Sequence, residues 1–471
     1  MKVRLKKFTE LSKSILPHEA RYLASVCNFQ DTEKREIFNL LVENALSENT
    51  FTPFDEKIDK RKYNYIKNWV EKKLSQIDVD LITEWIMLYK KKILTDTISA
   101  EEEQHFLHHI ENYKNLDYNF QNLYELAREY RAYLLIRMRY KDHQIIADFL
   151  NQYSNHYQKA KKIQDKLYLA TGEITNQYTL NNNETKYWEK WLYKVFSTAT
   201  IDGRNRYQAF VLLAFMYTNY NNSNNLKKLF DHIDSFFSQG EMYSRRLLSN
   251  YYANRVLLHS KENELAKAEY FGFLSIRQNN DDTLMYVNNL IAILLKNNKP
   301  QKALELLERF RTLSETTHNY HQKISYTSYH IRLLTEFNQW TQAETMARQF
   351  LKKYEDEILK YRWHHFFTSF FNVLIYKEKY EDVLELFQKY KLKEREIDHS
   401  KKSNYVPNIA WSVSLSKYME GKINSAKLLQ EIKEPIKGIV LTESRRNLMI
   451  QVIDHLSKNL PEAFSKLKSH L

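Results

Sequence analysis

The stretch IAILLKNNKPQKALELLERF, at residues 291–310, sets the pattern for the second half of the chain. Apolar residues at helical spacing lead into a short polar turn that begins at Asn298, and a second amphipathic helix follows it. Ala303 lies five positions after the start of that turn. A small residue at this place lets the second helix approach the first closely, so the stretch predicts a packed pair of helices.

The same pattern recurs along the chain, which indicates a repeat architecture. The turns begin at Asn221, Asn263, Asn298, Asn338, Glu378 and Gly421. The small or apolar residues that follow them are Leu226, Ala268, Ala303, Ala343, Val383 and Ala426, called the key positions below. We expect each pair to stack on the next, because one pair alone cannot bury its apolar surface.

This pattern resembles that of the tetratricopeptide-like (TPR-like) superfamily of helical repeats. The small key residue matches in most repeats, and the bulky residue four positions later matches at Leu307 and Phe387 but not at Ala347. The intervals exceed the roughly 34 residues of the tetratricopeptide repeat itself, so the resemblance is to the broader superfamily, over about 205–471. It implies a superhelix whose first helices line a concave groove, and a protein or peptide bound there.

The composition predicts an all-α protein, since only 6 Gly and 6 Pro occur in 471 residues. Specifically, we predict a right-handed α-solenoid of TPR-like helix pairs at 205–471. Its last pair comprises helices at 440–458 and 461–470, and the second of these caps the array. Residues 181–204 are a linker or the start of the array, and residues 1–180 form an irregular helical region. Whether that region is a separate domain or continues the solenoid is left open. Its predicted helices are 3–14, 17–27, 31–47, 59–76, 79–94, 98–113, 116–140 and 141–178, the last broken once.

Polar residues recur on the predicted first helices, at 14 and 18 positions before the key positions. Positions i and i+4 share a helix face, so each first helix offers a short polar strip. Asn side chains both donate and accept hydrogen bonds, which suits the backbone of an extended peptide. The candidate peptide-binding residues are Asn250, Asn254, Asn289, Ser325, Tyr329, His365, Ser369, Asn408 and Ser412.

A second column of residues is mostly apolar. It lies three residues before the position that is 14 residues ahead of each key position. It is aromatic in four repeats and aliphatic in the fifth. Such side chains are predicted to pack between successive helices rather than to bind a ligand. They are Tyr251, Tyr286, Tyr326, Phe366 and Ile409.

Nucleic-acid binding is the second hypothesis. The formal net charge is +13, and basic residues alternate with aromatic ones in the N-terminal helices. No recognised nucleic-acid module accompanies them, so solvated helix faces are the simpler interpretation. The residues concerned are Lys60, Arg61, Lys62, Lys67, Arg128, Arg131 and Arg139.

A helical enzyme is the third hypothesis, although no catalytic motif supports it. The sequence has no phosphate-binding glycine loop and no glycine-flanked serine, and its single cysteine, Cys27, excludes paired cysteine ligands. The run Glu101–Glu111 places His105 and His108 on one helix, but its glutamates also suit a helix start capped by Ser99. We therefore predict no catalytic residue, metal or cofactor.

The sequence contains no stretch typical of a signal peptide or a membrane-spanning helix, so a cytoplasmic location is predicted. It does not identify the partner or the oligomeric state.

Overall fold

The computed structural model describes residues 5–47, 50–180, 184–220, 222–400, 405–437 and 443–457, together with Leu460, Phe464 and Lys468. Every regular element within these ranges is helical, as the scarcity of glycine and proline predicts. The chain forms two compact units, Met1–Leu258 and His259–Leu471. The predicted linker or start of the array at 181–204 and the predicted array at 205–471 stay predictions.

The first unit contains long helices whose bounds lie close to those predicted. These are α1 Lys6–Ser14, α2 Pro17–Val26, α3 Thr32–Leu46, α4 Lys60–Ile77, α5 Val79–Leu94, α6 Ala100–Glu111, α7 Phe120–Ile136, α8 Tyr140–Leu180, α9 Glu189–Ser197, α10 Gly203–Asn219, α11 Ser223–Ser238 and α12 Arg245–Lys261, the last ending just beyond the unit.

The break predicted within 141–178 is wrong. Helix α8 runs without interruption, because its buried residues continue at helical spacing through Ile146, Ala160, Leu167 and Ile174. The predicted cap of α6 is confirmed: the Ser99 side chain accepts from the Glu102 amide, and Glu102 accepts from the Ser99 amide in return.

The second unit consists of shorter helices. These are α13 Leu265–Ser275, α14 Thr283–Lys296, α15 Pro300–Arg309, α16 Arg311–Thr316, α17 Tyr320–Glu336, α18 Trp340–Lys353, α19 Glu355–Glu357, α20 Trp363–Tyr376, α21 Tyr380–Lys389, α22 Leu392–Ser400, α23 Asn408–Met419, α24 Ser425–Lys433 and α25 Glu443–Leu456. The capping helix predicted at 461–470 lies mostly outside the described residues.

The predicted turns share one backbone geometry. Asn298 has a positive φ of 54°, its amide donates to the Leu295 carbonyl, and the Lys299 amide donates to the Leu294 carbonyl at 2.8 Å. This pair of bonds is the Schellman motif, which ends a helix with one left-handed residue. The same geometry recurs at Asn263, Asn338, Glu378 and Gly421. The turn predicted at Asn221 falls outside the described residues.

The pairs of the second unit contact each other in a regular order. The first helices α14, α17, α20 and α23 touch in succession, and each also packs on its own second helix, α15, α18, α21 or α24. Each second helix up to α21 in turn contacts the first helix of the next pair. The predicted aromatic column is confirmed as packing, because Tyr251, Tyr286, Tyr326, Phe366 and Ile409 are all buried.

The key positions are buried with one exception. Leu226, Ala268, Ala303, Ala343 and Val383 are 0–3% exposed. Ala426 is exposed, so the prediction for this position is wrong. In α24 the face that packs inward carries Leu428 and Ile432, which places Ala426 on the solvent side.

Buried glutamates link successive pairs on one side of the second unit. Glu344, directly after the key residue Ala343, binds Lys377 at 2.7 Å and Lys379 at 2.6 Å, which flank the turn of the next pair. Glu269, directly after Ala268, binds Lys299 in the same way at 2.6 Å. These ion pairs fix the second helices α13 and α18 against the turn of the following pair.

Candidate functional site

A cavity of about 310 Å³ lies in the second unit, between the first helices and α25. Helices α17 and α20 form two of its walls, the chain that leads into α23 forms a third, and α25 closes it. We call it the His365 cavity. It is lined by Arg332, Thr335, Glu336, His365, Thr368, Ser369, Asn372, Tyr376, Val406, Asn408, Leu448, Gln451 and Val452.

Three buried polar atoms of this lining have no hydrogen-bond partner among the described residues. They are Nδ1 of His365, Oγ1 of Thr368 and Oδ1 of Asn408. A buried polar atom that stays unpaired costs about 1–3 kcal/mol, so such atoms rarely gather in one place without a ligand or water to satisfy them. The His365 cavity is therefore the best candidate binding site in the described part of the chain.

The unpaired groups of the cavity are uncharged at neutral pH. Burial, with the nearby charges of Arg362 and Arg332, lowers the pKa of His365 to about 4. Arg332 itself pairs with Glu336 at 3.0 Å. The Tyr329 ring meets the His365 ring edge to face, with centroids 5.0 Å apart. The site thus offers neutral donors and acceptors against a wall that Tyr376, Leu448 and Val452 make partly apolar.

The structure brings three of the nine sequence-predicted groove residues into this cavity, namely His365, Ser369 and Asn408. Tyr329 supports the His365 ring from the neighbouring helix. Asn289 on α14 is half-buried and does not line the cavity.

The remaining predicted residues form local hydrogen bonds. Ser325 and Ser412 are buried, and each hydroxyl donates to the backbone carbonyl four residues earlier. These hydroxyls keep only their lone pairs for a ligand. In the first unit, the Asn254 amide donates to the Asn250 carbonyl at 2.9 Å, and the Tyr207 hydroxyl donates to Oδ1 of Asn250.

Sequence reasoning missed the cavity residues that lie further along α20 and those on α25. Thr368, Asn372 and Tyr376 continue the face of His365 at helical spacing along α20, so extending the strip toward the C-terminus of each first helix would have found them. Nothing in the repeat pattern indicated Leu448, Gln451 or Val452, because α25 lies beyond the last recognised key position.

Three of the seven basic residues of the second hypothesis bind carboxylates. Lys62 binds Asp31 and Glu33, each at 2.8 Å, and Arg139 binds Glu103 and Asp142. Lys67 pairs with Glu71. Lys60, Arg61, Arg128 and Arg131 are exposed helix residues. Nucleic-acid binding stays a prediction without a site that favours it.

The three histidines of α6 each contact a different neighbouring side chain. His109 packs on Trp85 with centroids 5.0 Å apart, and Nδ1 of His105 lies 3.3 Å from the Tyr89 hydroxyl. His108 is hydrogen-bonded by Asn112, which directly follows the last residue of α6. These contacts explain the histidines as parts of a packed surface, and the enzyme hypothesis stays untested.

No family model matches the chain, and neither a curated protein nor a solved structure matches it. Within the residues that the structure describes, no helix combines the length and the apolar character needed to cross a membrane.

Proposed function

We propose that the chain is an adaptor or regulator that holds a protein or peptide partner in the groove of a TPR-like array at 205–471, with the His365 cavity as the central contact. The observation that carries the proposal is the gathering of three unpaired, buried, uncharged polar atoms on the first helices. A right-handed α-solenoid would give these helices one shared concave face.

The order of helix contacts supports this arrangement. Each first helix touches the next one, and each second helix up to α21 touches the following pair. Recurring Schellman turns hold the two helices of a pair at a fixed angle. The ion pairs of Glu269 and Glu344 make the same kind of contact between one helix pair and the next. A surface held in this way is pre-formed, which lowers the entropic cost of binding.

The chemistry of the cavity suits a peptide segment. A peptide backbone is uncharged and presents donors and acceptors in alternation, which can satisfy Oδ1 of Asn408, Oγ1 of Thr368 and Nδ1 of His365 together. The apolar wall would accept one side chain of the same segment.

The test is affinity capture from the native host with the full chain as bait, eluted across a salt gradient and analysed for protein and nucleic acid. The double variant Thr368→Ala with Asn408→Ala is used in parallel, because it removes two of the unpaired atoms. Losing two hydrogen bonds should weaken a genuine partner by about 10- to 100-fold.

A matched control removes the same groups elsewhere. Thr345→Ala with Asn64→Ala alters exposed helix positions outside the cavity and should retain the partner. Equal recovery by the wild type and a folded cavity variant would exclude the His365 cavity as the contact. Recovery of nucleic acid alone, released at moderate salt, would favour the second hypothesis instead.

A further inference from the structure

A second cavity, of about 680 Å³, lies wholly within the first unit and belongs to none of the predicted sites. We call it the Arg206 cavity. Its walls come from the end of α4, the start of α5, the chain that leads into α7, the start of α10 and the chain that follows α11. Pockets that hold small molecules in proteins measure about 300–1,000 Å³, so this cavity has room for one.

The start of α10 is held close to the chain that precedes α7. Asp202 is the N-cap of α10, and its side chain accepts a hydrogen bond from a backbone amide of the first turn. The Gly203 amide donates to the Asp117 carbonyl at 3.2 Å, and a Cβ on Gly203 would lie only 3.1 Å from the Tyr118 Cα. Arg206, one turn further along α10, is thereby placed in the wall of the cavity.

Arg206 is a buried cation with few hydrogen bonds. The residue is 6% exposed, and its Nε donates to the Phe196 carbonyl at 3.1 Å. Nη1 lies 3.5 Å from Oε2 of Glu241, which is longer than the about 2.9 Å of a charge-assisted hydrogen bond. The two Nη atoms make no hydrogen bond among the described residues. Their N–H groups therefore remain for a ligand in the cavity.

The acidic groups near Arg206 compensate its charge only in part. Burial lowers the pKa of Arg206, and the charges of Glu241 and Asp202 offset that effect incompletely. The Glu241 side chain is 48% exposed, so water screens its charge. Asp202 accepts hydrogen bonds from the amides of Gln121 and Asn205 instead. An anion in the cavity would supply the compensation that a buried guanidinium requires.

We propose that the Arg206 cavity binds a small organic acid, with the carboxylate of the ligand on the two Nη atoms of Arg206. A planar guanidinium pairs with a carboxylate through two parallel hydrogen bonds. The Phe236 ring supports the guanidinium from one side, with its centroid 4.5 Å from Cζ. Ile82, Phe236 and Met242 make part of the lining apolar, so the body of the acid is apolar.

The charges of the lining favour a ligand with a single negative charge. Asp117 and Glu241 both line the cavity, and burial raises the pKa of Asp117 only to about 6, so most molecules carry this charge at pH 7. A phosphate group carries a charge of about −1.5 to −2 at pH 7 and would be repelled more strongly than a carboxylate. Lys114 and His156 line the cavity too, but both are exposed, so water screens them.

The experiment measures the binding of small probes to the full chain by calorimetry. The probes are hexanoate and phenylacetate, the neutral amides of both acids, and inorganic phosphate. We expect one molecule of an acid per chain, with the amides and phosphate bound at least about 10-fold more weakly, because neither reproduces the bidentate pair of a single charge.

Variants at two arginines of α10 locate the ligand. Arg206→Lys keeps the positive charge but loses the planar fork, so the affinity for the acids should fall about 10- to 100-fold. Arg204→Lys is the matched control, because Arg204 is exposed and does not line the cavity, and it should bind like the wild type. Glu241→Gln removes the negative charge beside Arg206 and should strengthen binding about 2- to 5-fold.

The outcomes are decisive in either direction. No binding of either acid by the wild type, equal binding of acid and amide, or a preference for phosphate overturns the proposal. Unchanged affinity in folded Arg206→Lys places the ligand elsewhere and also overturns it. If Arg206→Lys fails to fold, as judged by circular dichroism, Glu241→Gln decides, because Glu241 is exposed and unchanged affinity there contradicts the proposal. None of these results bears on the partner proposed above, since the His365 cavity belongs to the second unit.

Discussion

Each of the two compact units is stabilised by its own internal contacts. These contacts span different distances along the chain in the two units. In the second unit, the ion pairs between successive helix pairs join residues about one repeat apart, such as Glu344 and Lys379, which are 35 positions apart. In the first unit, buried polar contacts join its two ends. Glu19 binds Arg245, 226 positions away, and His18 binds Tyr252, 234 positions away. One unit is built from near neighbours, and the other depends on closure by its terminal helices.

Glu19→Ala should have the largest effect of the changes that test this difference. Glu19 is fully buried and accepts from the Leu16 amide, the Tyr243 hydroxyl and the Arg245 guanidinium. Its removal leaves these donors without their acceptor, at a cost of about 3 kcal/mol. Hydrogen exchange should speed up throughout α2, α11 and α12 while the second unit keeps its protection. A uniform loss across both units would show that they do not differ as described.

Ala343→Leu tests the close approach within a pair. Ala343 is fully buried, so the extra atoms should cost about 1–3 kcal/mol in urea unfolding. Ala426→Leu is the matched control, because Ala426 occupies the equivalent sequence position but is exposed. It should change the free energy of unfolding by less than about 0.5 kcal/mol. Equal effects of the two changes would contradict the packing assigned to the key positions.

Glu344→Gln tests the ion pairs between successive helix pairs. It should lower the free energy of unfolding by about 1–2 kcal/mol at pH 7. Burial alone would raise the pKa of Glu344, but hydrogen bonds from Lys377, Lys379 and Arg348 outweigh it and lower the pKa to about 2. The folded pKa lies below the unfolded one, so the stabilisation is present above about pH 4.5 and is lost as the pH falls toward 2. The difference between variant and wild type should shrink over that range. If the difference in free energy of unfolding between variant and wild type did not depend on pH, the charge of Glu344 would not be what stabilises the contact between pairs.

Substitutions at two equivalent turn positions should have the smallest effects on stability. One of them should stabilise the fold and the other should destabilise it. Glu378 has a φ of 55°, which costs a residue with a side chain about 1 kcal/mol, so Glu378→Gly should stabilise by up to about that amount. Gly421 has a φ of 65° and open space around its Cα, so Gly421→Ala should destabilise by about 1 kcal/mol through backbone strain alone. Thermal unfolding measures both. Shifts of the same sign would argue against a shared turn geometry.

The same difference in range explains what could be predicted from the sequence. The turns at Asn263, Asn298 and Asn338 depend on a few consecutive residues, and all adopt the left-handed conformation. Helix bounds in the first unit were also predictable, because periodicity is local. The pairing of Glu19 with Arg245 was not, since no local pattern connects residues so far apart.

The candidate site was predictable only in part, for the same reason. His365, Ser369 and Asn408 follow from the repeat register, which places them on first helices. Leu448 and Val452 come from α25, which matches the helix predicted at 440–458, but no key position sets the register of that helix, so neither the closing wall nor the cavity itself could be derived.

Hydrogen exchange of the full chain, measured with and without the captured partner, tests whether the first helices bind it. We expect slower exchange along α17, α20 and the start of α23, with little change in α15 and α18. Protection confined to the basic helices α4 and α7, with no change around His365, would contradict it.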